Sequence, residues 1–402
     1  MGDCRGCTRE RIERQVKITG YRVEQYLMKM DRLVGDANLP SGVEMLPGSI
    51  LFLDTDENVT GISLGYGGGI ESLFGVIEGA DPREVVALWM RMNDYLHKGG
   101  NEGAASAALS AIDVALWDIK AKLADEPLWK TLGGTAGRVK AYASGLDYCL
   151  SDEELFAFYR RMAELGIDSG KLKVGLDLAA DMRRLDIMRE ALSIASPRPG
   201  LMIDSNEYWS PKQAVRYIRQ MEKHFDLLWV EEPARRWDYD GLRLVSQQVR
   251  AAVASGENLH NLAQVYPLIA NRAVDVINVW AGQSGVTGLR QIARMAHAHG
   301  LEVTMMNAQA DYMAQIAAAL PNHNMMEVVD PGREHCLKWH SHIEDGFIVL
   351  SDAPGFGIEV DAAKLKDLQA NPPTGRGKFP FPRREGAGRY IVPPQPGEVP
   401  WR

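Results

Sequence analysis

Three acidic residues, Asp204, Glu231 and Glu257, stand near the ends of successive apolar runs, Leu201-Met202-Ile203-Asp204, Leu228-Trp229-Val230-Glu231 and Val253-Ala254-Ser255-Gly256-Glu257. They are roughly 26–27 positions apart, about one strand-helix-strand unit, so a parallel barrel would gather them at the carboxyl ends of neighbouring strands. Three converging carboxylates need a cation. Hard oxygen donors that leave room for water or substrate favour Mg²⁺ over zinc. One strand upstream, Lys171 and Lys173 are in period-two register and project to the same side, toward the acids. An amine beside a second cation loses its proton more readily, which suits a general base. Each acid alone reads as a solvated loop carboxylate; the set, behind a lysine pair, reads as a metal site.

Such a site needs a scaffold that presents strand ends in order. From residue 139 onward strand-like and helix-like runs alternate, with strands expected at 139–144, 171–175, 201–205, 227–231, 253–256, 274–279, 301–306 and 325–329. Helices at 153–165, 178–196, 211–225 and 288–299 fall between them and favour a barrel over an open sheet. Before the barrel, 18–27, 49–54 and 59–64 read as strands, the last two around an Asp56-Glu57-Asn58 turn. Gly35, Pro40, Gly42 and Pro47 argue for a loop over 30–47, and Tyr66-Gly67-Gly68-Gly69 for a second. Helices at 82–96 and 104–124 follow; in the second, Leu109, Ile112, Leu116, Ile119 and Leu123 share a face, Asp118 can pair with Lys122, and Trp117 reads as packed. A strand at 346–350 follows the barrel.

The chain has 402 residues, 46% hydrophobic and 24% charged, with a net charge of −8. That is enough for two domains, and the mixed charge gives no basic footprint for nucleic acid and no membrane anchor. The expected organisation is a flexible leader over 1–17, an α+β capping domain over 18–137, an α/β barrel over 138–365 whose last strand region returns toward the cap, and an extended Pro/Gly/Arg-rich tail over 366–402 that could drape over a neighbouring subunit. Cys4, Cys7, Cys149 and Cys336 read as incidental thiols rather than a disulfide framework or a metal pair. With no apolar run of membrane-spanning length, a cytoplasmic setting is expected, as is a closed homo-oligomer.

Several motifs together resemble the enolase superfamily, in its mandelate racemase and muconate lactonising branches. They are Lys171-x-Lys173, Asp204-x-Asn206, Glu231-Glu232-Pro233 and Gly256-Glu257-Asn258, joined upstream by Ala111-Ile112-Asp113-Val114-Ala115-Leu116-Trp117-Asp118 and Leu132-Gly133-Gly134, and downstream by Asp345-Gly346 and Pro354-Gly355-Phe356-Gly357. The resemblance runs from about residue 18 to 365 and implies a modified TIM-type (β/α) barrel, often one helix short, beneath the cap. It also implies Mg²⁺ on Asp204, Glu231 and Glu257 and proton abstraction by Lys173, with Lys171 lowering the base's pKa and meeting the substrate carboxylate. Asn206 and Glu232 would orient the ligands. Glu327, if protonated, would donate a hydrogen bond to a substrate carboxylate. The two cap loops would choose the substrate, which makes Arg32, Glu44 and Tyr66 specificity candidates.

The chain departs from its better known relatives on the opposite wall. The mandelate racemase type pairs an aspartate after the sixth strand with a histidine after the seventh, and the muconate lactonising type has a lysine on the sixth. Here those places hold Trp280 and Met306 or Asn307. A racemase needs acid-base groups on both faces of the α-carbon, whereas a dehydratase works from one face with a separate acid. The expected reaction is therefore formation of an enediolate and dehydration of a hydroxylated sugar acid to a 2-keto-3-deoxy acid. A racemase, epimerase or cycloisomerase is the alternative, and a non-catalytic binding protein a further one. His297, His299 and His323 precede strands and belong to the barrel's amino end; His335, His340 and His342 follow the eighth strand and could reach the mouth, as could His260.

Overall fold

The computed structural model describes residues 15–65, 68–307, 311–329 and 335–377. Tyr66, the Cys4 and Cys7 pair and the tail beyond 377 lie outside the described residues. Near the start, β1 (Ile18–Val34), β2 (Val43–Thr55) and β3 (Thr60–Leu64) form an antiparallel sheet in that order. The turn between β2 and β3 puts Asn58 at φ 57°, and the Thr55 hydroxyl closes it on the Val59 carbonyl at 2.8 Å. The loop expected over 30–47 is mostly strand: β1 runs on to Val34, and Lys29 pairs with Met45. Pro47 is tolerated because β2 meets β3 only from Ile50 onward, so no β3 neighbour lies beside it.

Three helices follow, Ile70–Ile77, Val85–Tyr95 and Gly103–Leu123. The last is buried on almost every side, because it packs between the cap sheet and the barrel helix Gly285–Ala298. β3 lies close against it: a Cβ on Gly61 would fall 2.2 Å from the Ala115 carbonyl oxygen. Two buried aspartates on this helix tie it to its neighbours. Asp113 accepts from the Thr287 amide at 2.9 Å and hydroxyl at 2.6 Å, and the Trp117 indole donates to that hydroxyl at 3.0 Å. Asp118 accepts from the Ile62 amide at 2.8 Å and the Phe356 amide at 2.9 Å, while Lys122 pairs with it at 2.6 Å.

The barrel strands are β4 (Arg138–Ser144), β5 (Ser169–Lys173), β6 (Gly200–Asp204), β7 (Leu227–Glu231), β8 (Ala252–Ser255), β9 (Val276–Val279), β10 (Glu302–Met305) and β11 (His323–Val329). Each pairs in parallel with the next, and β11 pairs back with β4 to close the ring. Side chains encode the helix starts: Ser151, Asp177, Ser210, Asp238 and Asn261 each accept a hydrogen bond from the first turn of the helix they precede. Between β10 and β11 the described α-helix is only the short Ala314–Ala317. Tyr142, Met202, Trp229, Ala254, Val276 and Met325, from six of the strands, form a buried apolar cluster of their own.

After the barrel, β12 (Leu337–Trp339), β13 (His342–Glu344), β14 (Phe347–Val349) and β15 (Ile358–Val360) are short. β14 pairs antiparallel with the start of β4, where a strand was expected. The chain then returns to the cap, with the Leu128 amide donating to the Gly355 carbonyl at 2.8 Å. Helix Ala362–Ala370 runs across position 365, and Gln369 donates to Glu24 of β1 at 2.8 Å. Cys149 and Cys336 are free thiols. Among the described residues no helix is long and apolar enough to cross a membrane.

Removing the Asp118 carboxylate strands two buried amides and the Lys122 ammonium. Asp118→Ala is expected to lower the unfolding free energy by about 3–5 kcal/mol in urea denaturation, and a loss below about 1 kcal/mol would show that these bonds do not join cap to barrel.

Candidate active site at the barrel mouth

Strand register sets out the site. Lys173 stands opposite Asp204, Asp204 opposite Glu231, and Glu231 opposite Ala254, three residues before Glu257. The base candidate and the acids therefore come from consecutive strand ends, as their spacing predicts. Gly256 lets the chain turn there: at φ 135°, a Cβ would lie 2.8 Å from the Asn278 carbonyl oxygen. Beneath the row, the Trp229 indole donates to Glu231 at 3.2 Å, and the Lys171 ammonium lies 5.6 Å above the Tyr142 ring.

The two lysines lie among the acids. Lys171 is ion-paired with Glu231, contacts Glu327 at 3.2 Å and stands 3.7 Å from Asp204. Lys173 meets Asp204 at 2.5 Å. Burial opposes the charge on Lys171, but Glu231 and Glu327 hold its pKa well above the ordinary lysine range. Burial is likewise outweighed at Lys173, chiefly by Asp204. Asp204 is held low by Lys173 and Lys171 against its burial. Burial, opposed by Lys171 and reinforced by Asp204, pushes Glu231 up to about 7; burial and then the Asp204 charge push Glu257 up to about 8. Four carboxylates thus share two ammoniums, and Glu257, half-buried at the mouth, accepts a side-chain hydrogen bond from Asn258 at 3.2 Å.

A further cation suits that donor set. The three acids are hard oxygen donors on adjacent strand ends, and the buried Glu232 Oε2 and Asn206 Oδ1 have no hydrogen-bond partner among the described residues. Among the described residues the acids do not close into a finished metal cage, and the Lys171 and Lys173 ammoniums take up oxygens of Glu231 and Asp204. Glu232 accepts from Asn258 at 2.9 Å, and the Asn206 amide donates to Asp204 at 2.8 Å. Asn206 thus touches Asp204 directly, whereas Glu232 reaches Glu257 only through Asn258, whose amide also donates to Glu257 at 3.2 Å.

Glu327 pairs with Lys171 at 3.2 Å and accepts from the Asn307 amide at 3.0 Å; against its burial, Lys171 and Lys173 hold its pKa below the ordinary carboxylate range. On the far wall, the Trp280 indole donates to the Glu257 carbonyl at 2.8 Å, and Met306 sulfur accepts from Asn278 at 3.2 Å. None of Trp280, Met306 and Asn307 is a base. His340 is a surface partner of Glu359 at 2.7 Å and His342 of Glu344 at 3.5 Å, which removes them as mouth groups. His335 sits at φ 31° with a buried Nε2 that has no hydrogen-bond partner among the described residues. The His260 carbonyl accepts from Ser284 of the barrel at 3.0 Å and from Ser106 of the cap helix at 3.4 Å. Arg32 lies over the Phe158 ring at 4.7 Å, and Glu44 accepts from the Arg376 amide at 3.1 Å. His297 and His299 end the helix leading into β10, and His323 opens β11, all at the amino end as expected.

Residues not singled out from the sequence hold the lysine strand. Asp147, on the loop after β4, accepts from the Lys173 amide at 3.1 Å and from Arg184 at 3.0 Å, and Tyr159 bonds both Asp147 and the Lys171 carbonyl at 2.7 Å. Its place just after a barrel strand was the available signal.

A closed parallel barrel with carboxylates and lysines at its carboxyl end, beneath an antiparallel cap, is the architecture of the enolase superfamily. Residues 154–364 match the enolase C-terminal domain-like family, and residues 50–133 the mandelate racemase/muconate lactonizing enzyme N-terminal domain. The chain belongs to this mandelate racemase/muconate lactonizing group. It is 32% identical over 304 residues to 3,6-anhydro-alpha-L-galactonate cycloisomerase of Streptomyces coelicolor, covering 74% of this chain and 82% of that protein. It is also 32% identical over 296 residues to L-talarate/galactarate dehydratase of Salmonella typhimurium, covering 70% of each. The crystal structure of a racemase from Streptomyces coelicolor with bound magnesium superposes with a TM-score of 0.79 at 28% identity, over 87% of this chain and 99% of that one. Relatives thus include both lyases and isomerases.

Burial holds the His323 ring neutral, with its pKa lowered from 6.5 to about 4. Between those values the unfolded chain binds a proton that the folded chain refuses, so stability present above the unfolded pKa is lost as pH falls. Urea midpoints at about pH 7 and about pH 5 should drop more for the wild type than for His323→Gln, and equal drops would rule out this histidine as the source.

Proposed function

We propose that this chain is a Mg²⁺-dependent enzyme that removes the α-proton of a hydroxylated sugar acid and completes a dehydration to a 2-keto-3-deoxy acid. The observation that carries this reading is the shortfall of positive charge where Asp204, Glu231, Glu257 and Glu327 meet Lys171 and Lys173. Asp204, Glu231 and Glu257 would hold the metal. When bound, Mg²⁺ would supply positive charge for a substrate carboxylate; Lys173, whose charge is held by Asp204, is the amine placed to accept the α-proton once that pairing is weakened. Lys173 then takes the proton at Nζ. Lys171, kept charged by Glu231 and Glu327, faces the developing enediolate and disfavours a proton on its neighbour. The enediolate expels the β-hydroxyl, which leaves as water with a proton drawn from solvent at the mouth; Lys173 returns its own proton to solvent, and the enol tautomerises to the 2-keto-3-deoxy acid.

Trp280, Met306 and Asn307 supply no second base, which supports elimination over two-sided racemisation. A second reading, isomerisation by expulsion of a ring oxygen that stays attached, is favoured by the similarity to a cycloisomerase. A small-molecule acid as partner, a closed homo-oligomer and a cytoplasmic setting complete the proposal.

Screening acid sugars with Mg²⁺ should reveal a 2-keto product lighter than its substrate by one water. An isomeric keto product would select the second reading. Lys173→Ala should reduce turnover of the best substrate by about 10²–10⁴-fold; full retention of activity would exclude Lys173 as the base.

A further inference from the structure

β4 and β5 pair only as far as Ser144 opposite Lys171, so the Lys173 amide lies beyond the last rung of that ladder. Asp147 Oδ1 accepts it at 3.1 Å. On the other side of the same residue, Arg184 Nη1 donates to the Lys173 carbonyl at 2.9 Å, while its Nη2 holds the Asp147 carbonyl at 2.8 Å and Oδ1 at 3.0 Å. The Tyr159 hydroxyl spans Asp147 Oδ2 and the Lys171 carbonyl, both at 2.7 Å. Asp147 and Tyr159 are fully buried and Arg184 nearly so. The main chain of the lysine pair is thus fixed from three separate elements.

The same aspartate carries the cap. Gly35, just after β1, bridges to Asp147: its amide donates to the Leu146 carbonyl at 2.7 Å, and its carbonyl accepts from the Tyr148 amide at 3.3 Å. Glycine is needed at 35, since a Cβ would fall 2.4 Å from the Leu39 carbonyl oxygen. Asp36 folds the next turn by accepting from the Asn38 amide at 2.6 Å, and Asn38 donates to the Asn206 carbonyl at 3.0 Å. Asn206 in turn donates its amide to Asp204. Cap residues 35–38 therefore grip the loop after β4 and the loop after β6, on either side of Lys173.

We infer that Asp147 is a positioning residue for Lys173 and links the aim of that amine to the seating of cap residues 35–38. The inference rests on the base role proposed above for Lys173. Displacing the cap segment shifts the Asp147 loop, and through Oδ1 it shifts the peptide that carries the base. A purely structural ion pair with Arg184 would stabilise the fold without this link.

The test has one readout that needs no substrate. In the holoenzyme with Mg²⁺, deuterium uptake at the Lys173 amide should quicken in Asp147→Ala, in Tyr159→Phe and in Asn38→Ala, while amides of β9 and β10 are unchanged. In heavy water with an acid that the wild type turns over, Asp147→Ala should lower kcat for α-proton loss by about 10–100-fold, with KM changed less than about twofold. Asp147→Asn, which keeps an acceptor for the amide, should recover most of the rate. Asn38→Ala should slow the wild type but add little to Asp147→Ala. If Asp147→Ala does not fold, Tyr159→Phe carries the same comparison. Unchanged amide exchange, a KM effect without a kcat effect, or fully additive losses would overturn the inference. A wild type that exchanges no α-proton on any acid would overturn the proposed function instead, and the amide measurement would still decide the link.

Discussion

Buried charge at the barrel mouth constrains everything around it. Asp204, Glu231, Glu257 and Glu327 cannot all stay ionised in a dry site on the strength of two ammoniums. Burial alone would push each acid toward its protonated form. The site is therefore a poised array whose protonation depends on what positive charge is present. The oxygens that pair with the lysines are also hard donors of the kind a divalent cation takes, and any oxygen given to such a cation would weaken the pairing that keeps Lys173 protonated.

Holding such an array requires rigid supports at every corner, and the barrel provides them in layers. An apolar layer around Tyr142, Met202 and Trp229 lies among the strands, with the Trp229 indole turned to Glu231. Strand register fixes the row from Lys173 to Glu231. Above, the cap sheet is locked down by Asp113 and Asp118 on the buried helix between the two domains. The motif containing these two aspartates is thus architectural, although it helps mark the chain's family as clearly as the acids do.

The acids and lysines were legible because parallel strands impose a repeat, and a carboxylate at each repeat end has few structural uses. The cap loops were harder. Gly35, Pro40, Gly42 and Pro47 punctuate 30–47, yet long-range pairing with β2 keeps β1 extended to Val34 through a polar stretch. Propensity yields there to tertiary context. The support of Lys173 was not legible at all, since Asp147, Tyr159 and Arg184 come from a loop and two different helices, and no local pattern joins them. The histidines after the eighth strand looked usable by topology; His340 and His342 instead pair with surface glutamates, a choice that only three-dimensional neighbours decide.

Asp118 bonds an amide from residue 62 with one oxygen and an amide from residue 356 with the other. A nascent chain emerging from the ribosome therefore makes its first domain long before it makes the piece that finishes it. Until Phe356 arrives, one oxygen of that aspartate lacks its mate, and the junction it closes stays unfinished. Translation that stops short of this point would release a product whose defect lies at its beginning.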